Sequence, residues 1–236
     1  MTESRLKDEQ AFAHIAENIK RITYRVDEAK VKAGRENDTV RIMAVTKTVP
    51  PEAVNFVVSQ GIGLLGENRV QELLSKYEAY DPSAELQFIG HLQTNKVKYI
   101  ADKVTMIQSV DSLKLAEEID ARAGALGKRM DVLVELNIGE EESKSGVLPD
   151  RLEELLHEAS VLPHIHVRGL MAIPPAGRGA KFFPGIERIF IDMRSKKIDN
   201  VTMEFLSMGM SDDFAEAVLN GANMIRIGTL LFGSRK

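Results

Sequence analysis

Apolar runs of strand length alternate with segments of helical periodicity along most of the chain, and this alternation restricts the fold more than any other feature of the sequence. The runs that predict strands lie at residues 41–47, 62–65, 86–89, 104–108, 130–137, 166–173, 203–206 and 224–227. The segments that predict the intervening helices lie at residues 52–60, 70–80, 97–101, 112–125, 148–160, 182–197 and 212–219. Eight strands, each but the last followed by a helix, favour an α/β fold, a (β/α)8 TIM barrel, with an open doubly wound sheet as the alternative.

A leading helix is predicted ahead of the first strand, at residues 9–33. Apolar side chains recur there at helical spacing, and Gly34 ends the pattern. The barrel itself is predicted at residues 40–233. A chain of 236 residues is an ordinary length for one α/β barrel, and no linker or low-complexity segment divides it. We therefore expect a single domain over residues 1–236.

The composition of the chain excludes several classes of function. Cysteine is absent from the sequence, which removes disulfides, thiolate nucleophiles and thiolate metal ligands. The formal net charge of −4 argues against nucleic acid or an anionic membrane as the main partner. No apolar run approaches the about 20 residues of a membrane span, and the polar N-terminus has no secretory pattern. These features predict a cytoplasmic protein.

Lys47 is the candidate for the chemistry. It stands at the downstream end of the first apolar run, and Pro50 and Pro51 after it suit the first turn of a helix. A lysine amine forms an imine with an aldehyde, and partial desolvation at a strand end brings a lysine closer to its reactive neutral form. Barrels of this class bind ligands at the carboxyl ends of their strands. The alternative is a lysine that only solvates a strand end.

Two clusters near the end of the sequence predict a phosphate site. Residues 207–211 (SMGMS) lie between the seventh strand and the next helix, and residues 226–229 (RIGT) leave the eighth strand. The loops after strands seven and eight often hold a phosphate through backbone N–H groups and small hydroxyls, which makes Ser207, Gly228 and Thr229 candidates. Arg226 is placed to donate to an acceptor in the ring plane of a ligand. An amine and a phosphate site on one rim suit a phosphorylated aldehyde.

Other polar residues have weaker interpretations. His91 follows the third strand and is either an acid or base or a loop histidine that bonds to nearby backbone. Lys96 and Lys144 lie in rim loops and are candidates for contacting a second phosphate, although loop lysines are mostly solvated. His164 and His166 are two residues apart at a strand, so they point to opposite faces and predict no metal site.

Eight short motifs carry a family resemblance in the order in which they occur. They are VTK (45–47), GEN (66–68), FIGHLQTNK (88–96), SVDS (109–112), KSG (144–146), RGLMAIP (168–174), LSMGMSDD (206–213) and RIGTLLFG (226–233). These motifs closely resemble the pyridoxal phosphate homeostasis proteins, which are single-domain relatives of the N-terminal barrel of alanine racemase. LSMGMSDD together with RIGT is the most specific part. Thr94 and Gln87 depart from the family pattern, which we expect to affect only local packing.

The resemblance implies a barrel of the alanine racemase N-terminal type and a role in the intracellular homeostasis of pyridoxal 5'-phosphate. It implies that Lys47 holds this cofactor as an internal aldimine and that Arg226 faces the pyridine nitrogen. The full set implied to bind the cofactor is Lys47, Asn68, Met171, Ser207, Arg226, Gly228 and Thr229. A cation beside the pyridine nitrogen disfavours its protonation, so the ring is a weaker electron sink than one paired with a carboxylate.

The related racemase needs a base on each face of its substrate, the second being a tyrosine from an extra β domain. The tyrosines of this chain all fall in predicted helices or helix ends, and the chain is expected to stop where the barrel closes, which leaves the site open to water. The leading hypothesis is therefore a monomeric carrier with little or no catalysis, which hands pyridoxal 5'-phosphate to recipient apo-enzymes.

Three alternatives to a carrier stay open at the level of sequence. The first is a weak pyridoxal-phosphate-dependent racemase that uses Lys47 on one face and His91 on the other. The second is a Schiff-base aldolase that uses the same lysine on the same barrel. The third is an interaction module whose surface is the acidic segment 152–158, although such charge usually marks a solvated helix face.

Overall fold

The structure is a computed structural model that describes residues 11–141 and 144–233. Within these residues, parallel strands pair in sequence order and the first strand pairs with the last, which closes a barrel. The strands are β1 (Arg41–Val45), β2 (Leu64–Glu67), β3 (Glu85–Phe88), β4 (Met106–Val110), β5 (Met130–Leu136), β6 (Ile165–Ala172), β7 (Val201–Ser207) and β8 (Met224–Ile227). The predicted (β/α)8 barrel is confirmed, and the open-sheet alternative is wrong because β1 pairs with β8.

Helices follow the strands around the outside of the barrel. They are α1 (Ala13–Lys32), α2 (Pro51–Ser59), α3 (Val70–Lys76), α4 (Val97–Ile100), α5 (Leu113–Ala125), α6 (Leu152–Ser160), α7 (Gly179–Lys196), α8 (Phe214–Leu219) and α9 (Thr229–Phe232). The expectation that no helix follows the last strand is wrong, since α9 follows β8. Its four residues are too few to show a helical period in the sequence.

Helix α1 confirms the predicted leading helix, although residues 9 and 10 of the prediction lie outside the described part of the chain. It packs against α8 and α9, beside the seam between β1 and β8. Asn18 Nδ2 donates to the carbonyl of Leu231 at 3.0 Å, and the guanidinium of Arg25 lies 4.5 Å from the ring centre of Phe214. No helix in the described ranges is long and apolar enough to cross a membrane. A single domain over residues 1–236 stays a prediction.

Strands β2 and β4 begin two residues later than the sequence predicts, and β2 shows why. Ile62 is buried, which is why it fits a strand pattern, but its N–H donates to the carbonyl of Val57 in α2. Val104, before β4, donates in the same way to Ile100 of α4. These residues complete the last turns of the preceding helices, so the strands start only after them.

Apolar side chains pack in two layers, because successive residues of a strand point to opposite faces of the sheet. The outer layer lies between the strands and the helices. The inner layer fills the barrel with Met43, Val45, Leu64, Ile89, Met106, Leu133, Met171, Phe205 and Met224. Gln87, Gln108, Ser207 and Arg226 are buried as well and hydrogen-bond to one another in a line. A barrel interior that is otherwise apolar therefore contains a polar group of side chains.

A prediction about the fold concerns Gly169 in β6. Its φ is +148°, and a Cβ there would lie 1.9 Å from the backbone oxygen of Phe205 in β7. Because backbone in a neighbouring strand cannot yield cheaply, we expect Gly169→Ala to lower the free energy of unfolding by about 2 kcal/mol or more. Urea denaturation measures this change.

Gly185→Ala is the matched control for Gly169→Ala. Gly185 lies in α7, and a Cβ there meets nothing within 4 Å. Alanine favours a helix interior, so this variant should be more stable than the parent protein by about 0.5–1 kcal/mol. If both variants change stability in the same direction, the close approach of β6 and β7 does not restrict residue 169 to glycine.

Candidate functional site

A cavity of about 390 Å³ opens at the carboxyl ends of the strands. Its lining residues are Val45, Lys47, Asn68, Ile89, Ile173, Met210, Ser211, Asp212, Arg226, Gly228 and Thr229. The cavity therefore brings together five of the predicted site residues, namely Lys47, Asn68, Arg226, Gly228 and Thr229. Its volume is in the range of small-molecule and cofactor sites.

Lys47 lies two residues beyond the end of β1 and is half-buried at the cavity wall. Val45 and Ile89 line the cavity with it and supply an apolar surface. The next residue, Thr48, has a φ of +63°, in the left-handed region that β-branched residues rarely adopt. The backbone that carries Lys47 therefore makes an abrupt turn as it leaves β1.

Arg226 in β8 is 3% exposed, and two hydrogen bonds fix its guanidinium. Nη1 donates to Ser207 Oγ at 2.7 Å, and Nη2 donates to the carbonyl of Ala172 at 2.9 Å. Burial lowers the pKa of Arg226 to about 10, and the negative charges of Glu135 and Asp213 oppose this shift. A pKa of about 10 still leaves the guanidinium charged at neutral pH, so the cavity contains a fixed cation.

Ser207 connects Arg226 to a line of hydrogen bonds that crosses the barrel. Ser207 Oγ donates to Gln108 Oε1 at 2.7 Å, Gln108 Nε2 donates to Gln87 Oε1 at 2.6 Å, and Gln87 Nε2 donates to Glu85 Oε1 at 2.7 Å. Glu85, at the opposite end of the barrel, also accepts from Arg41. We call Ser207, Gln108 and Gln87 the polar relay. It fixes the orientation of Arg226 from inside the barrel.

The relay contains two residues that the sequence interpretation missed. Gln108 was not singled out, and Gln87 was expected to matter only for local packing. Both side chains are buried, and each amide donates one hydrogen bond and accepts one within this line. A glutamine at an inward position of an otherwise apolar strand was the available signal, since a buried amide needs a partner.

Two predicted site residues, Ser207 and Met171, are buried below the cavity and do not line it. The hydroxyl of Ser207 accepts from Arg226 and donates to Gln108. The predicted contacts of Ser207 and Met171 with the cofactor stay predictions. Met171 belongs to the apolar interior of the barrel. Ser211 lines the cavity instead, and its Oγ accepts from the N–H of Leu230 at 3.2 Å.

Asn68 follows β2 and lines the cavity, and the backbone of Gly90, in the loop after β3, lies close to it. A Cβ at Gly90 would lie 2.1 Å from the carbonyl oxygen of Asn68, so only glycine fits there. The side-chain Oδ1 of Asn68 is buried and has no hydrogen-bond partner among the described residues. A buried amide oxygen normally has a partner, so this atom is a candidate acceptor for a ligand.

A second cavity adjoins the first and shares Ile173 with it. Its lining residues are His91, Glu135, Leu136, Asn137, Lys144, Ser145 and Ile173. Burial raises the pKa of Glu135, repulsion from Asp111 adds to this, and the hydrogen bond from Ser145 together with Arg226 and His91 opposes it. His91 is 60% exposed and its Nδ1 lies 3.6 Å from Asp111. The structure therefore places His91 beside the second cavity and not in the lining of the first.

The other polar residues considered in the sequence contact neighbours in the protein. Lys144 forms an ion pair with Glu141 at 2.9 Å, and Lys96 lies 5.6 Å from the ring centre of Tyr99. His164 and His166 lie 3.3 and 3.5 Å from the carboxylates of Asp120 and Asp131, respectively. Across residues 11–141 and 144–233, no group of three or more potential metal-ligating side chains comes together.

The barrel and its rim site define a protein of the alanine racemase N-terminal class. The family model "Alanine racemase, N-terminal domain" matches residues 14–236. A protein of Aquifex aeolicus named pyridoxal phosphate homeostasis protein is 44% identical over 223 residues, which cover 93% of this chain and 98% of the relative. The protein of the same name from Escherichia coli K12 is 33% identical, over 94% of this chain and 97% of the relative. The chain belongs to the pyridoxal phosphate homeostasis protein family.

Solved structures of related proteins have a similar fold. PipY of Synechococcus elongatus has been solved without PLP, with a TM-score of 0.83, and with PLP bound, with a TM-score of 0.81. It is 31% identical, and the match covers 93% of this chain and 100% of PipY. Alanine racemase from Corynebacterium glutamicum has a TM-score of 0.69 at 16% identity, covering 95% of this chain and 61% of the racemase. That likeness concerns the fold alone.

The polar relay leads to a prediction about Ser207. Ser207→Ala removes the acceptor of Arg226 Nη1 and the donor to Gln108. Because a buried charged donor loses its partner, we expect the free energy of unfolding to fall by about 1.5–3 kcal/mol, measured by chemical denaturation. The control is Ser195→Ala on the exposed side of α7, which should stay within about 0.5 kcal/mol of the parent protein. Similar stabilities of the two variants would contradict a structural role for the relay.

The raised pKa of Glu135 leads to a prediction about pH. Below its ordinary value of 4.5 the carboxyl is protonated in the folded and the unfolded chain. As pH rises through 4.5, the unfolded chain releases this proton first, so the folded state loses stability until its own pKa is passed. Glu135→Gln should therefore be more stable than the parent protein at neutral pH, and the difference should disappear in acid. Denaturant titrations at several pH values measure it; a pH-independent difference would refute the assignment.

Proposed function

We propose that this protein binds pyridoxal 5'-phosphate in the first cavity, covalently through Lys47, and serves its intracellular homeostasis as a carrier without robust catalysis. The observation that carries the proposal is the placement of Lys47, Arg226, Gly228 and Thr229 around one cavity of about 390 Å³. The names of the homeostasis relatives and the PLP bound to PipY support the same cofactor.

The cavity fits each part of the cofactor with a group of the right chemistry. Lys47 offers an amine for the aldehyde, and the backbone of Gly228 with the hydroxyls of Ser211 and Thr229 offers donors for the phosphate. Asn68 offers its unpartnered oxygen to a donor on the ligand. When bound, the cofactor supplies an aldehyde that reacts with amines and a conjugated ring that accepts electrons.

Arg226 supports a carrier more than an enzyme. We assign its guanidinium to the pyridine nitrogen, as the resemblance implies. Ser207 and Ala172 hold the guanidinium by hydrogen bonds, and the cation disfavours a proton on a nitrogen beside it. A ring without that proton is a weaker electron sink, which lowers its value for chemistry at the α-carbon of an amino acid.

The racemase alternative is not favoured. It needs a second base next to Lys47, and His91 lines the neighbouring cavity and pairs with Asp111. Tyr80 is buried and donates to Glu67, away from the first cavity. The relatives are named as homeostasis proteins and not as enzymes. The aldolase alternative predicts a lysine that stays colourless without an added aldehyde.

The wider predictions complete the proposal. We propose that the protein acts in the cytoplasm as a monomer. We also propose that its recipients are apo-enzymes that need the cofactor. The net charge of −4 supports the absence of nucleic-acid and anionic-membrane partners. Size-exclusion chromatography with light scattering would measure the oligomeric state directly.

A prediction about Lys47 tests the proposed function. The purified protein with added pyridoxal 5'-phosphate should absorb as a yellow lysine adduct, and borohydride should fix the label on Lys47 in a peptide map. Lys47→Ala should lose both signals. Lys20→Ala, on the exposed surface of α1, is the control and should keep both.

Two comparisons sharpen the outcome of this experiment. Pyridoxal without its phosphate should bind at least about tenfold more weakly than pyridoxal 5'-phosphate, because the donors near Gly228 lose a charged partner. Incubation of the cofactor-loaded protein, without borohydride treatment, with alanine in deuterium oxide should exchange little of the α-proton. A colourless protein that takes up no cofactor would refute the binding proposal, and rapid exchange that depends on Lys47 would refute the carrier.

A further inference from the structure

The two residues that flank Lys47 are held by the same helix. Glu72 and Lys76 lie one turn apart in α3, which packs beside β2. Lys76 Nζ donates to the carbonyl of Thr46 at 2.9 Å, and Glu72 Oε1 accepts from the N–H of Thr48. Lys76 and Glu72 also form an ion pair at 2.5 Å. One pair of charged side chains therefore hydrogen-bonds to the backbone on both sides of Lys47.

The backbone that this pair holds is in an unfavourable conformation. Thr48 has a φ of +63°, and a β-branched residue in the left-handed region is strained unless its surroundings impose it. Burial by itself raises the pKa of Glu72, but the hydrogen bonds from Lys76 and from the Thr48 N–H outweigh it and keep the pKa below 4.5. Glu72 is therefore an ionised acceptor for the Thr48 N–H at neutral pH.

A buried network supports the pair from behind. Thr46 Oγ1 lies 2.7 Å from Glu67 Oε1, which also accepts from the hydroxyl of Tyr80 at 2.6 Å and lies 3.4 Å from Lys76 Nζ. Thr46 and Glu67 are fully buried, and Lys76 is 13% exposed. Burial and the bond to Glu67 raise the pKa of Tyr80, so its hydroxyl stays a donor. The network fixes Thr46 while Glu72 fixes Thr48.

We propose that Glu72 and Lys76 are positioning residues that hold the strained Thr46–Lys47–Thr48 backbone and so direct the Lys47 amine into the first cavity. The inference rests on the proposed function of Lys47 and assigns to α3 a part in that function that the lining of the cavity does not reveal. Without the acceptor at Glu72, Thr48 relaxes toward negative φ, and Lys47, one residue away, turns with it.

The test begins with Glu72→Ala and Glu72→Gln, with Glu78→Ala as a control on an exposed carboxylate just beyond α3. The rate of Lys47 labelling by pyridoxal 5'-phosphate and borohydride should fall at least about tenfold in Glu72→Ala. Glu72→Gln keeps an acceptor for the Thr48 N–H and should recover most of the rate. A thermal melt of each variant checks that it is folded.

Hydrogen exchange gives a readout that does not depend on the cofactor. In the protein without cofactor, the amide of Thr48 should exchange with deuterium at least about tenfold faster in Glu72→Ala than in Glu72→Gln or Glu78→Ala. The amides of β2 should be unchanged. Unchanged exchange at Thr48 would overturn the proposal that Glu72 holds this part of the backbone.

A double variant tests the role of strain itself. Thr48→Gly should restore labelling in the Glu72→Ala background, because glycine adopts positive φ without a penalty. If Thr48→Gly restores nothing, the strain at Thr48 is not what Glu72 controls and the inference is wrong. If the parent protein is labelled at Lys47 and Glu72→Ala is labelled equally fast, the inference fails and the proposed function stands. If the parent protein itself is not labelled, the proposed function fails.

Discussion

The pairing of β1 with β8 is the constraint on which the site depends. It joins the first strand of the barrel to the last, with Met43 opposite Arg226 and Ala44 opposite Ile227. Lys47 follows the carboxyl end of β1 and Gly228 follows that of β8, so the lysine amine and the backbone proposed to bind a phosphate lie after neighbouring strands and line one cavity. Helix α1 packs beside this seam through α8 and α9. The cavity therefore forms only when the barrel closes. No single segment of the chain contains the residues that line it.

The interior of the barrel shows how hydrogen bonds offset the free-energy cost of burying a cation. An isolated charge in an apolar interior is costly unless hydrogen bonds and opposite charges accompany it. Arg226 has Ser207 and a backbone carbonyl as partners, and the relay passes through two glutamines to Glu85 at the other end. Each side chain donates to the next along this line, so both buried glutamine amides donate and accept a hydrogen bond. The guanidinium is thereby fixed in one orientation before any ligand binds.

Much of the fold followed from local patterns, and the errors have local causes as well. Strand-length apolar runs predicted the eight strands, and the helical period predicted most helices. Helix α9 was missed because four residues do not show a period. Ile62 was assigned to a strand because it is buried, although its N–H completes the last turn of α2. An apolar residue in a sequence indicates that the side chain is buried. It does not indicate whether the backbone pairs with a neighbouring strand.

The sequence by itself determined the alternation of strands and helices, the family motifs, and the choice of Lys47, Arg226 and Gly228 as rim residues. These depend on residue type and spacing along the chain. Only the tertiary structure decided that Ser207 accepts a hydrogen bond from Arg226, that Ser211 lines the cavity, and that α3 hydrogen-bonds to the backbone on both sides of Lys47. The reason is physical: which face a side chain takes, and which neighbour it meets, depends on strand register and barrel closure, and these are set by contacts between residues far apart in the chain.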